Sequence, residues 1–343
     1  MKKLAFRVMR GCGIFSASRA LSARMARILM YHNFAGPGAS DPDALNVEGI
    51  RRQFEYLRRH FRVTPLRQLA EELSSGKLAD RTVALTIDDG RRNCYEFLFP
   101  LLKEFELPAT FFVVSSFIRG EEWIWTDKVL WLSEQANRPD QLQREQLVAT
   151  FRSLNRRTPD LRNAQIDVWA KASSVDIPKG PPAKYAPCSW SELREMADSG
   201  LLDVGSHTVT HPILSTITDE GSWDELTRSR AQIEKGMGRR VNCFCFPNGM
   251  PGDYRDSQIR QVEEAGYTCS VLAHTGFASA ESNRYRLPRI GVARKSSTEE
   301  FSRWLDGVMY YKDKVAGWLN PQNASGESDS IEGYRNSSAR KRS

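Results

Sequence analysis

Several features that would place a chain quickly are missing from these 343 residues. No stretch approaches the ~20 apolar residues that a membrane span requires. The six cysteines (Cys12, Cys94, Cys188, Cys243, Cys245 and Cys269) form no C-x-x-C pair and no compact framework, which argues against a redox motif or a disulfide scaffold. Internal repeats are absent too. Acidic residues are missing from the start: Asp41 is the first, while Lys2, Lys3, Arg7, Arg10, Arg19, Arg24 and Arg27 precede it. Those seven cations account for the whole net charge of +7, so the rest of the chain is balanced. A basic arm on a neutral body suits an anionic surface such as lipid headgroups, or is only a solvated helix face. No aromatic-and-basic groove accompanies it, so a nucleic-acid partner is not expected. Arg7, Arg10 and Arg19 interrupt any signal-like apolar core. The expectation is an unexported, cytoplasmic protein, at the inner membrane face if the arm engages lipid.

What is present is an α/β rhythm. "RILMYH" (27–32) reads as a first strand, Val47–His60 and "TPLRQLAEELSSG" as amphipathic helices, and "TVALTI" (82–87) as a buried β-branched strand. A helix through "YEFLFPLLKEFEL" and the strand "ATFFVVS" follow, so parallel strands with crossover helices are expected. Residues 119–187 break the rhythm and read as an insertion, with helices in "EEWIWTDKVLWLSEQ" and "LQREQLVATFRSLNRR" and an irregular loop in "IPKGPPAKYAP". Its Trp123, Trp125, Trp131 and Trp169 suit a helix–helix core better than sugar stacking. The alternation resumes with the strands "LLDVGSH", "VNCFCFPNG", "YTCSVLAH" and "RLPRIGV", and Ser297–Leu319 reads as a closing helix. The expected organisation is a basic helical arm over 1–27, one barrel-like α/β domain over 28–319, and a disordered polar tail over 320–343.

The strand ends carry the chemistry. His32, Asp88 with Asp89, Ser115, His207, Pro247 with Asn248, and His274 all fall at C-terminal ends, which converge on one rim in a parallel barrel. Asp88 and Asp89 end a core strand, where two carboxylates are costly without a cation or a helix terminus to take them. His207 and His211 stand four residues apart, and on a helical turn both rings would face one side. Two imidazoles with one carboxylate leave room for water, as a catalytic metal site needs. The H-x-x-x-H spacing alone recurs by chance; beside a strand-end Asp pair it gains weight.

"TIDDG", "SHTVTHP" and "FPNG", in this order over about residues 28–293, resemble the motifs of the polysaccharide deacetylase (NodB-homology, carbohydrate esterase) family. The resemblance implies a distorted (β/α) barrel with a helical insertion, and a hydrolase that removes N- or O-acetyl groups from sugars with a divalent metal. Zinc suits the mixed ligand set, with cobalt, nickel, iron or manganese as alternatives. It implies Asp89, His207 and His211 as metal ligands, Asp88 as general base, and Pro247 with Asn248 at the substrate, Asn248 offering an N–H to the oxyanion.

Two departures matter. The family's R-P-P-Y motif corresponds here to Cys245, Phe246, Pro247 and Asn248, so Arg289 of "RLPRIGV" is the arginine expected to steady the base. The late histidine of the family falls at His274, yet "LMYH" resembles the rearranged branch that includes poly-N-acetylglucosamine deacetylases, which favours His32 as the general acid. His60 reads as structural. The expected partner is an N-acetylated glycan or a lipid-linked sugar. Alternatives are a deformylase or amidase on a lipid-linked sugar, and a catalytically silent glycan-binding module of the same fold.

Overall fold

A computed structural model describes residues 11–39, 41, 44–135, 149–292 and 297–319. The first ten residues of the arm, residues 136–148 of the insertion and the expected tail over 320–343 lie outside the described residues.

The strands are β1 (Arg27–Tyr31), β2 (Phe34–Ala35), β3 (Leu45–Asn46), β4 (Arg62–Val63), β5 (Thr82–Ile87), β6 (Ala109–Val113), β7 (Leu202–Ser206), β8 (Cys243–Cys245), β9 (Cys269–Val271) and β10 (Ile290–Gly291). Eight of them form one all-parallel sheet in the order β10-β1-β5-β6-β7-β8-β9, with β4 paired to the start of β5. The segment leading into β10 draws the two edges together. Leu287 bridges Val271 of β9, while Ile290 pairs with Leu29 of β1. This curled sheet with surrounding helices is the expected α/β barrel.

Alternation along the strands sets what faces inward. In β5, Val83, Leu85 and Ile87 join the larger core against the helices, while Ala84 joins a second cluster with Ile28, Phe112, Cys243, Cys245, Cys269 and Val271. Both faces are thus covered, which is why this strand reads as a continuous apolar run. Continuing the alternation aims Thr86 and Asp88 to the inner side. In β7 the same rule pairs Gly205 with His207. A Cβ on Gly205 would meet Phe112 at 2.5 Å, so only glycine lets β7 lie this close.

Several elements depart from the sequence expectation. In the described part of the arm, helix α1 is confined to Ile14–Leu21, because Gly13 takes a left-handed φ of 76° at its start. The helix after the Asp pair opens as a π turn (Cys94–Leu98) before the α-helical Phe99–Phe105, with Pro100 in its first turn. The insertion contains a helix that the sequence reading left unassigned, Pro159–Ala172. Its proline stands at the helix start, where the missing N–H costs nothing, rather than marking a break. That helix packs with Trp125–Gln135 around Trp125, Val129, Leu132, Leu154, Ile166 and Ala170. Trp123 and Trp125 are buried and Trp131 and Trp169 partly buried, as the core reading requires. The closing helix is two helices, Thr298–Leu305 and Val308–Leu319, separated at Gly307 with φ 83°. No helix among the described residues is long and apolar enough to cross a membrane.

Candidate active site and metal centre

Asp88 leaves the end of β5 pointing inward, almost wholly buried. Arg289 meets it with both arms: Nη1 donates to Oδ1 at 2.8 Å and Nη2 to Oδ2 at 2.9 Å. The guanidinium is itself anchored, donating to the Leu272 carbonyl at 2.9 Å and the Thr86 hydroxyl at 3.1 Å. Burial alone would raise the Asp88 pKa, but the Arg289 charge overrides it and holds the carboxyl well below the usual range. Nη2 of Arg289 also lies 3.2 Å from the Cys245 sulfur. From just ahead of β10 the arginine therefore reaches Cys245, the position that the resemblance sets against the family's motif arginine.

Asp89 turns the other way because its backbone is left-handed, φ 82°, followed by Gly90 at 92°. Its Oδ1 faces the imidazoles, 3.7 Å from His211 Nε2 and 3.9 Å from His207 Nε2. The two Nε2 atoms are 3.2 Å apart. His207 and His211 do not lie on a helical turn, as their spacing suggested. They occupy an irregular loop after β7, where left-handed Thr208 (φ 71°) and His211 (φ 58°) fold the rings together. Glu225 secures that loop, accepting from the N–H groups of Val209 and Thr210 at 2.6 and 3.0 Å.

The donor set fits a divalent cation. The Nδ1–H of His207 donates to the Cys245 carbonyl at 2.8 Å, which leaves its Nε2 lone pair facing the site. Burial and the neighbouring His207 lower the His211 pKa to about 3, so that ring is neutral. Asp89, His207 and His211 each offer an atom within 4.8 Å of the others. Asp88, His207 and Cys245 meet the same distance criterion, but Arg289 occupies both Asp88 oxygens and burial pushes the Cys245 thiol pKa far up.

Two residues that the sequence reading missed stand behind Asp89. Arg91 Nη2 lies 3.0 Å from Asp89 Oδ2 and 2.5 Å from Oδ1 of Asp127, and Arg91 Nε donates to Asp127 Oδ2 at 3.1 Å. Asp127 is wholly buried; burial raises its pKa although Arg91 pulls the other way. Counting Asp88, Asp89 and Asp127 against Arg289 and Arg91 leaves one buried negative charge beside the two imidazoles. A buried charge of that kind calls for a cation.

The remaining expected site residues lie around this centre. His32 follows β1 and places Nε2 3.5 Å from Asp88 Oδ2, with 43% of its side chain exposed. His274 is half-buried and shares a 2.9 Å hydrogen bond with the Tyr254 hydroxyl. Asn248, after β8 and Pro247, is left-handed at φ 60°. Its N–H donates to no acceptor among the described residues, and its side-chain amide donates to Asp253. His60 packs on Tyr56, ring centroids 4.5 Å apart, as a structural residue would.

A curled parallel sheet with an aspartate pair and two histidines at its strand ends defines a hydrolase-like class. Residues 75–270, more than half of the chain, match the family described as Polysaccharide deacetylase, and the chain belongs to that family. It is 22% identical over 289 residues to the poly-beta-1,6-N-acetyl-D-glucosamine N-deacetylase of Escherichia coli K12, covering 76% of this chain and 35% of that protein. It is 20% identical over 307 residues to the enzyme of the same name from Staphylococcus aureus strain COL, covering 85% and 82%. The YxkH protein of Bacillus subtilis matches at 24% over 117 residues, 34% of this chain and 40% of YxkH. The chain therefore spans less than half of the Bacillus and Escherichia proteins. Among solved structures, the Streptococcus pyogenes deacetylase PplD in complex with acetate superposes with a TM-score of 0.58 at 18% identity, over 82% of this chain and 99% of PplD. IcaB from Ammonifex degensii gives 0.56 at 19%, over 82% and 97%. At such identities these likenesses concern the fold.

Proposed function

We propose that the protein is a metal-dependent deacetylase that removes the N-acetyl group from an amino sugar of a glycan or its lipid-linked precursor. The observation that carries this reading is the convergence of Asp89, His207 and His211 beside an aspartate held ionised by arginine. Family membership and the relatives named for poly-N-acetylglucosamine support an N-acetylated sugar as substrate.

Bound by Asp89, His207 and His211, a divalent cation, zinc for preference, would polarise the acetyl carbonyl and acidify water. The chain's own groups do the rest. Asp88 takes the proton of the attacking water. Arg289 keeps that carboxylate ionised and aimed, which weakens it as a base, so water must be acidified for the transfer to succeed. The Asn248 N–H donates to the oxyanion that forms on the acetyl carbonyl. His32, on the open side of Asp88, gives a proton to the sugar nitrogen as the C–N bond breaks. Tyr31, His32, Asn33, Leu45 and Val292 line a small hollow of about 50 Å³ beside it, which opens towards the side from which substrate would approach His32.

The test is acetate release from N-acetylated glycans and lipid-linked sugars, comparing wild type with Asp88→Asn, each stripped of metal and reloaded. Release that needs both metal and Asp88 is the expected result. Release independent of metal would overturn the reading.

The domain reading, a barrel over 28–319 behind a basic arm, carries a second proposal: the arm meets an anionic lipid surface. Leu21 at 76% exposure and Ile14 at 41% lie on the helix within the arm, and support it. The full chain should co-sediment with phosphatidylglycerol vesicles and not with phosphatidylcholine; equal behaviour with both would sink the idea.

A further inference from the structure

The inserted segment reaches the centre from both of its ends. At its head, the Trp125 indole donates to the His211 carbonyl at 3.1 Å, and Asp127 grips Arg91. At its tail, the Arg92 N–H donates to the Ala186 carbonyl at 2.8 Å and the Cys188 N–H to the Gly90 carbonyl at 2.9 Å. Four contacts thus tie the insertion to the turn that carries Asp89 and to the backbone of His211. The electrostatic consequence runs through Arg91. A guanidinium 3.0 Å from Asp89 would cancel the ligand's charge if it stood alone. Asp127 supplies the second carboxylate, wholly buried, that leaves the Asp89–Arg91–Asp127 group at one negative charge.

We propose that Asp127 is a positioning residue that sets the cation affinity of the Asp89–His207–His211 site, by neutralising Arg91 and so preserving the charge that Asp89 presents. The proposal rests on the metal-dependent reading above and deepens it: the insertion is a functional part of the centre. The Arg91 contact falls on Asp89 Oδ2, while Oδ1 is the oxygen that faces the imidazoles. The Asp127 charge and the Arg91 charge act as a matched pair, and the affinity follows their sum.

The experiment measures the affinity of the metal-free full chain for zinc alone, by competition with a chromogenic chelator, and the visible spectrum of the cobalt-loaded protein. Asp127→Asn removes one negative charge from a nearly isosteric group and should weaken zinc by ~10–100-fold, the usual cost of losing a group that supports a ligand. The double variant Arg91→Gln with Asp127→Asn restores the charge sum and should recover most of that loss. Arg91→Gln alone should bind zinc at least as tightly as wild type. A role in packing alone predicts that the double variant is as weak as the single one, and that outcome overturns the proposal. Wild-type affinity in Asp127→Asn overturns it too, while leaving the metal site standing. A wild-type chain that binds neither zinc nor cobalt overturns both this proposal and the reading it rests on. If Asp127→Asn fails to fold, the Arg91→Gln measurement decides, since weaker zinc binding there contradicts the charge argument.

Discussion

Arg289, 201 residues further along the chain and just ahead of β10, holds both oxygens of Asp88. The fork fixes the carboxylate in one orientation and makes the pair nearly neutral, so it can be buried. The same guanidinium bonds Thr86, two residues earlier on β5, which locks the strand end as well as the base. Arg289→Lys keeps the charge and loses the fork. It should lower kcat at least tenfold with a smaller change in KM, because a misaimed base affects the reaction more than binding. Arg289→Met, which strands Asp88 as an unpaired buried charge, should cost about 3–5 kcal/mol of stability in chemical denaturation. Wild-type kcat in the lysine variant would show that aim is set elsewhere.

The proton donor is decided by two single variants. His32 lies 3.5 Å from Asp88 and is open to the hollow, whereas His274 is engaged with Tyr254. His32→Ala should lower kcat ~10²–10⁴-fold, the range for loss of a general acid. His274→Ala should cost less than tenfold. The reverse order in steady-state kinetics would move the role to His274.

The strand ends were legible because they rest on short-range rules. Alternation alone sends Asp88 inward, and the β-branched run of β5 announces a covered strand. The pairing of His207 with His211 was legible and its cause was not, since nothing in the spacing reveals left-handed Thr208 and His211. Arg91 and Asp127 were unreadable for a different reason. Their ion pair spans 36 residues, and the Trp125–His211 bond spans 86, so both depend on how the insertion docks. The helix Pro159–Ala172 went unassigned although a proline can open a helix as readily as end one. Arg289 was found through an absence: without the family's motif arginine, another cation had to reach Asp88.

Acid sensitivity has a testable contributor remote from the centre. Arg62 forks onto Glu72 with bonds of 2.7 and 2.6 Å, tying β4 to the helix Leu66–Ser74. The Arg62 hydrogen bonds lower the Glu72 pKa below its ordinary value. A folded-state value below the unfolded one means that the stabilisation is present above the unfolded pKa of ~4.3 and lost as pH falls through the folded value. The pair is partly exposed, which limits it to no more than about 1 kcal/mol. Glu72→Gln should therefore reduce stability at pH 7 and match wild type at pH 2–3 in urea titrations, the order of magnitude of the effect following the partial exposure. An equal loss at both pH values would assign the effect to packing.

Gly90 follows the aspartate pair with φ 92°, and a Cβ there would lie 2.9 Å from Ile118 Cδ1 and 3.3 Å from Val113 Cβ. Gly120 makes a fair control, with φ 73° and nothing within 4 Å of its Cβ position. Both alanine variants incur the left-handed strain of about 1–2 kcal/mol, while only Gly90→Ala also overpacks, at a further cost of about 1–3 kcal/mol. Thermal unfolding should rank Gly90→Ala clearly below Gly120→Ala. Zinc affinity should fall in the first variant and not in the second, because Asp89 shares the turn that must shift. Two equally mild variants would mean that the turn relaxes freely, and that Asp89 keeps its aim without help from the glycine beside it.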